Sequence, residues 1–344
     1  SGENRAALLK RLAAIEGIYV PSHFMVSYQA DGRIEAITAK DPQQPKVRRR
    51  VLADLDSAPY PEQPIVPFLE TIHDRVAIEV ARGCTRGCRF CQAGYIYRPV
   101  RERQPDTIRN LIDQLLNHSG YDEVSLLSLS TGDYSAIETL MQNLMGCYAD
   151  QSIAVSLPSL RVGSLTPELM NEIKKVRKTG FTLAPEAGSE RLRQVINKGI
   201  NAEDLVDSAT TAFELGWRII KLYFMIGLPT ETNEDLDDLV ALVGRVVGAA
   251  PRGGAEIHVS ISPFAPKAHT PFQWAAMDSI EDNYGKIDLL KRLTSRYKIS
   301  LKTHNPRESW LECLFARGDR RMCDALEYAY RSGARFDGWK ELFS

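Results

Sequence analysis

From residue 71 onward, short apolar runs alternate with amphipathic ones, and this alternation restricts the chain to few architectures. The runs RVAIEV (75–80), EVSLLSLS (123–130), SIAVSLPSL (152–160), FTLAP (181–185), IIKLYFMIGLP (219–229) and EIHVSISPF (256–264) are rich in Val, Ile, Leu and Phe. Such runs suit short buried strands. Between them, helical patterns occupy 105–120, 134–149, 166–180, 189–199, 201–217 and 232–250. Their ends carry local signals: Pro105 near one start, Gly120 past its end, Thr166 before Pro167, and Thr232 as a cap. Six strands spaced by helices predict a parallel sheet. Right-handed crossovers curl such a sheet into a barrel or a doubly wound layer.

The flanks read differently. Residues 1–16 predict a short helix with Leu8, Leu9, Leu12 and Ile15 on one face. Residues 24–39 predict a hairpin turning at Asp31-Gly32. A Pro-rich connector at 41–67 then wraps over the next domain. After residue 275 the pattern turns helical, and residues 291–344 hold 12 Lys and Arg against 7 Asp and Glu. That segment reads as a helical cap with a charged face, and RFDGW (335–339) as the point where the tail docks. The division is therefore 1–70, 71–274 and 275–344. Net charge is −1, so no overall field draws the chain to nucleic acid or a membrane. No apolar run reaches the ~20 residues of a transmembrane helix.

Six cysteines in 344 residues do not make a disulfide scaffold. Their usage suits a reducing cytoplasm. Cys147, Cys313 and Cys323 are scattered, as small buried residues of helices are. Cys84, Cys88 and Cys91 cluster in RGCTRGCRFCQAG (82–94), directly after the first strand. In barrels, the loops after strands carry the chemistry. A structural zinc would need a fourth ligand, and His73 is the nearest candidate. A merely structural thiol cluster would be prone to oxidation. A [4Fe–4S] cubane has four irons that cysteines normally fill; three thiols leave one iron open to chelate a substrate or cofactor. Gly83, Gly87 and Gly94 allow the backbone to come close. Arg82, Arg86 and Arg89 place positive charge where it would favour a reduced cluster.

Cys-x3-Cys-x-aromatic-Cys, with Phe90 as the aromatic, resembles the signature of the radical S-adenosylmethionine (radical SAM) superfamily. The resemblance implies an α/β fold: a partial (β/α)6 TIM-like barrel with an N-terminal hairpin extension and a C-terminal helical extension. It also implies a [4Fe–4S] cluster on Cys84, Cys88 and Cys91 whose open iron takes S-adenosylmethionine. Reductive cleavage of that molecule yields a 5′-deoxyadenosyl radical, and an external donor such as flavodoxin or ferredoxin supplies the electron.

By position, the resemblance suggests further cofactor contacts. Phe90 lies in the signature itself. Thr131, Gly132 and Asp133 stand where a Gly-Gly-Glu-like segment holds the methionine amino group, with only the glycine and the acid matching. Ser156 and Arg161 are placed for the ribose and the methionine carboxylate, and Glu186 for the ribose hydroxyls. Ile226 and Gly227 would present backbone to adenine, and Phe264 would wall it. Arg191 and Arg193 stand in the first turn of a helix, where cations oppose its dipole unless they have another use.

The segments LAPEAGSERLRQVINKG, GLPTET, FAPKAHTPFQW, ARGDRR and RFDGWKE narrow the resemblance to one uncharacterised branch of the superfamily. Its longer members often carry a cobalamin-binding-like region upstream and a linked domain downstream, outside this chain. Methylthiotransferases, which modify tRNA or a ribosomal protein, are its better-understood relatives. YIYRPVRER (95–103), KVRRR (46–50) and RGDRR (317–321) mix basic and aromatic residues, a combination that can hold RNA. The expectation is a radical SAM enzyme acting on RNA or a ribosome-associated target; the alternative is a non-catalytic binding module stapled by zinc or an iron–sulfur group.

Overall fold

The computed structural model describes residues 4–43, 46–69, 71–157, 162, 180–251, 253–334 and 338. The predicted helix at 166–180, apart from Gly180, and the RFDGW tail, apart from Gly338, lie outside the described residues, as does Arg161. The chain divides into two compact units, Ser1–Asp54 and Leu55–Ser344.

In the first unit, helix α1 (Arg5–Ala13) starts where Asn4 Oδ1 accepts the Ala6 N–H at 2.7 Å. Strands β1 (Phe24–Tyr28) and β2 (Ile34–Ala39) pair antiparallel. Their turn uses Gly32 at φ +82°, and Arg33 Nε bonds Asp31.

The second unit holds the alternating pattern. Strands β3 (Val76–Glu79), β6 (Glu123–Leu127) and β7 (Ala154–Ser156) form one parallel sheet. Strands β8 (Phe181–Glu186), β9 (Ile219–Ile226) and β10 (Glu256–Pro263) form another, extended by β11 (Ser300–Thr303). Two short segments, β4 (Ala81–Arg82) and β5 (Arg101–Glu102), pair antiparallel and close the base of the cysteine loop. Each sheet runs in chain order, β3-β6-β7 and β8-β9-β10-β11, as expected for successive crossovers in a partial α/β barrel. The seventh parallel strand, β11, sits in the segment read as purely helical. Its SLKT sequence has no inward-facing fully buried residue, so it lacks the apolar run that reveals the others.

Helices α2 (Ala93–Ile96), α3 (Pro105–Ser119), α4 (Ile137–Tyr148), α5 (Glu190–Val195), α6 (Ala202–Glu214), α7 (Asn233–Ala249) and α8 (Ile280–Thr294) follow. Helices α9 (Pro306–Arg317) and α10 (Met322–Arg331) complete the described chain. One core joins β3, β6 and β7 to α3 and α4 around Ile78, Ile112, Leu126 and Met141, all fully buried. A larger one joins β8–β10 to α6–α8 around Leu183, Leu222, Val243 and Val259. A third, smaller cluster sits at the strand ends: Ala187, Leu192, Ile196, Leu228 and Phe264, with Phe90 packed against it.

The start of α5 shows why cations stand there. Arg191 bonds the Thr230 carbonyl at 2.8 Å and pairs with Asp235. Arg193, 2% exposed, donates to the carbonyls of Ala187, Gly188 and Ile200. Ser189 also bonds Asp235. Burial works against the Asp235 carboxylate, but hydrogen bonds from Ser189, the Thr232 N–H and Arg191 outweigh it and hold it below the ordinary range. These bonds tie the starts of α5 and α7. Between them, a side chain at Gly188 would collide with the Leu239 backbone. Gly188→Ala should therefore destabilise the domain by about 1–3 kcal/mol, read as a lower chemical-denaturation midpoint; an unchanged midpoint would show that the two elements can separate.

Candidate functional site: a three-thiol loop at the strand ends

Strand β3 ends at Glu79, and the loop that follows carries all three clustered thiols. Cys84, Cys88 and Cys91 are half-buried and form no disulfide. Two left-handed glycines shape the loop. Gly83 has φ +97°, and a Cβ there would lie 2.7 Å from the carbonyl oxygens of Tyr97 and Pro99. Gly87 has φ +71°. Other residues reach these conformations only at a cost, so the loop's path is written into the glycines. The Cys91 N–H bonds the Cys88 carbonyl at 3.1 Å, and α2 follows at once.

The rest of the loop is held by distant parts of the chain. The Arg89 N–H donates to the Ile196 carbonyl at 2.9 Å. Its guanidinium donates to the carbonyls of Val195 at 2.5 Å and Gln194 at 3.2 Å. These are the last carbonyls of α5, which have no partner inside the helix. Asn197 Nδ2 donates to the Gly87 carbonyl at 2.9 Å and the Arg86 carbonyl at 3.3 Å. Tyr95 Oη donates to the same Gly87 carbonyl at 3.1 Å. On the other side, Gln92 Nε2 reaches the Ala268 carbonyl at 3.0 Å, and the Phe272 N–H reaches the Arg89 carbonyl at 3.3 Å. Phe90 packs on the strand-end cluster, where Phe272 meets Phe264 edge-on at 6.0 Å.

The loop's arginines have structural partners. Arg82 pairs with Glu79 at 2.6 Å, Arg86 with Asp133, and Arg89 caps α5. The expected surplus of positive charge beside the thiols is thus largely engaged. Asp133 also accepts from Ser130 Oγ at 2.7 Å. The turn Thr131–Asp133 after β6 is in this way tied to the cysteine loop. Thr131 is fully buried, and its hydroxyl donates to the Leu126 carbonyl at 3.3 Å.

The remaining expected positions lie at the ends of β7, β8, β9 and β10. Ser156 Oγ bonds the Val124 carbonyl at 3.4 Å. Glu186 adopts φ +68° at an irregularity in β8, and Lys198 Nζ bonds its carboxylate at 3.0 Å. A glutamate in the left-handed region is strained, and such strain gathers at functional sites. The Ile226 carbonyl accepts the Phe264 N–H at 2.8 Å. The Gly227 N–H donates to Glu231 at 2.8 Å. Phe264 is 2% exposed within the strand-end cluster. The loop, the Thr131–Asp133 turn, Glu186 and the Ile226–Phe264 pair therefore share the C-terminal side of the parallel strands.

Sequence reasoning missed several of these residues. Asn197 was findable, since an Asn just past a helix and before Lys-Gly is a left-handed terminator. Glu231 and Lys286 carried no signal. Glu231, 2% exposed at its side chain, bonds Lys286 Nζ at 2.6 Å, and Lys286 also bonds Asp278 at 2.7 Å. Burial pushes the Glu231 carboxyl above its ordinary range, although Lys286 and the Gly227 and Leu228 amides pull it back.

Cys84, Cys88 and Cys91 are compatible with three corners of an iron–sulfur cluster. Among the described residues, no three His, Cys, Asp or Glu side chains gather tightly enough to hold one metal ion. His73, the candidate fourth zinc ligand, faces Arg75 at 2.8 Å instead. Three separate thiolates on a compact loop suit the corners of an iron–sulfur cubane.

Residues 78–243 match the family model described as the Radical SAM superfamily. The chain carries a radical SAM domain over those residues. Among its relatives, an uncharacterized protein of Methanocaldococcus jannaschii is 35% identical over 73% of this chain and 54% of its own length. A tRNA-2-methylthio-N(6)-dimethylallyladenosine synthase of Pelotomaculum thermopropionicum is 23% identical over 75% of this chain and 57% of its own. A ribosomal protein uS12 methylthiotransferase of Dictyoglomus thermophilum is 24% identical over 49% of this chain and 40% of its own. The chain is thus distantly related to the methylthiotransferases, and spans about half the length of these curated relatives. Among the described residues no helix is long and apolar enough to cross a membrane.

Two measurements test the site's construction. Gly83→Ala should abolish stable cluster uptake, because its Cβ meets backbone oxygens that cannot withdraw; uptake equal to wild type would show that the loop has another path. For Glu231, the raised carboxyl pKa means that folding favours the protonated form. That stabilisation is present below the ordinary carboxylate range and is lost as pH rises through the raised value. The Tm of Glu231→Gln relative to wild type should therefore climb as pH rises out of the ordinary carboxylate range; a flat difference would contradict the assignment.

Proposed function

We propose that this domain binds a [4Fe–4S] cluster through Cys84, Cys88 and Cys91, and S-adenosylmethionine beside it, to modify RNA or a ribosome-associated target. The observation that carries the reading is the three-thiol loop at the C-terminal side of a parallel partial barrel, inside the segment that matches the superfamily. When bound, the cluster supplies one electron to the sulfonium and so releases the 5′-deoxyadenosyl radical.

The chain's own residues would hold and orient the reactants. Phe90 would offer apolar surface at the strand ends for adenine, backed by the buried Phe264, with Ile226 and Gly227 presenting backbone alongside. Glu186, in its strained conformation, offers a carboxylate to the ribose diol. Gly132 and Asp133 lie toward the methionine end with Thr131 beneath them, and Ser156 and Arg161 complete the expected set. The target class rests on the relatives whose names specify tRNA and a ribosomal protein. An acidic one-electron donor of the flavodoxin or ferredoxin type would supply the reducing equivalent. The free cysteines suit the reducing cytoplasm.

Anaerobic reconstitution with iron and sulfide should give a brown protein that converts S-adenosylmethionine to 5′-deoxyadenosine and methionine under strong reductant. Cys88→Ala should lose both colour and cleavage. A colourless protein holding one zinc per chain would replace this reading with the binding-module alternative; cleavage retained by Cys88→Ala would refute the ligand assignment.

A further inference from the structure

The three residues that follow α5 each hold a different point of the site. Ile196 offers its carbonyl to the Arg89 N–H, and Lys198 pairs with Glu186. Between them, Asn197 stands at φ +55° and sends its side chain into the cysteine loop, 110 residues earlier in the chain. We infer that Asn197 is a positioning residue for the cluster: its amide fixes the Arg86–Gly87 backbone and thereby the spacing of the Cys84 and Cys88 thiols. This rests on the reading that those thiols hold a [4Fe–4S] cluster.

Residue type and geometry agree on this role. Both partners of the side chain are carbonyl oxygens, so only an NH2 group serves, and a carboxylate in its place would face them with lone pairs. The left-handed backbone is one that Asn, after Gly, adopts at least cost. The Gly87 carbonyl accepts from both Asn197 and Tyr95. The Gly87–Cys88 peptide is thus gripped from α2 and from the strap after α5. Neither donor reaches a thiol; they fix the backbone that carries it. Groups that orient ligands without touching the metal set how firmly it is held. Lys198, the next residue, adjoins the carboxylate assigned to the ribose, so one strap fixes both the loop and Glu186.

The test separates the amide from the backbone. Asn197→Gly keeps the positive φ and removes the amide; Asn197→Asp keeps the shape and removes the donors. Wild type and both variants would be reconstituted anaerobically, then exposed to excess EDTA while the visible absorbance of the cluster is followed. Two lost hydrogen bonds predict loss roughly tenfold faster in both variants. The EPR spectrum of the reduced cluster should shift, while the apo Asn197→Gly protein stays cooperatively folded, its unfolding midpoint only modestly lowered by the two lost bonds. Wild type that takes up cluster, with Asn197→Gly retaining it equally well and with the same EPR spectrum, overturns the inference alone. Wild type that takes up no cluster brings down the underlying reading, and this inference with it.

Discussion

Two segments with opposite hydrogen-bonding deficits meet at the centre of this domain. A loop bent through Gly83 and Gly87 has few partners of its own, and Arg89 is left with donors to place. Helix α5 is only six residues long, and its last carbonyls have no intrahelical donors. Arg89 bonds them, and in doing so pins the thiol loop to the C-terminal end of α5. Phe90, the next residue, inserts into the apolar cluster of Ala187, Leu192, Ile196, Leu228 and Phe264. Polar and apolar contacts from adjacent residues thus fasten the loop against three strand ends.

The same economy explains the charges. Counted along the sequence, the arginines around the thiols suggest a basic surface. In the fold, Arg82, Arg86 and Arg89 neutralise Glu79, Asp133 and a helix terminus. Arg191 turns an unfavourable place at a helix start into a junction with α7, and Arg193 ties the helix to the carbonyls of Ala187, Gly188 and Ile200. Arg321 pairs with Asp319 within its own turn. A basic composition here is mostly architectural, so the proposed RNA or ribosomal target draws its support from the related enzymes rather than from the number of arginines.

The parallel strands could be read from the sequence because each carries an apolar run, such as IIKLYFMI, whose alternate residues are fully buried. β11 could not, since its edge position leaves SLKT exposed and without a pattern. The thiols were legible because their spacing is local. What fastens them was not: Arg86 with Asp133, Asn197 with Gly87 and Gln92 with Ala268 join residues 47, 110 and 176 positions apart. No periodicity encodes such pairs. Glu186 is intermediate, because its identity was visible and its strained backbone was not.

Those sequence separations bear on the order of assembly. The thiol-bearing stretch leaves the ribosome well before the carbonyls of Gln194–Ile196 and Ala268 that give it shape. Contacts this distant form late, after the intervening chain has collapsed. Until then the thiols have no fixed mutual arrangement and offer no ready-made receptacle. On the proposed reading, delivery of inorganic iron and sulfide follows near-completion of the barrel, and a chain stalled before β10 would expose three thiols with nothing to arrange them.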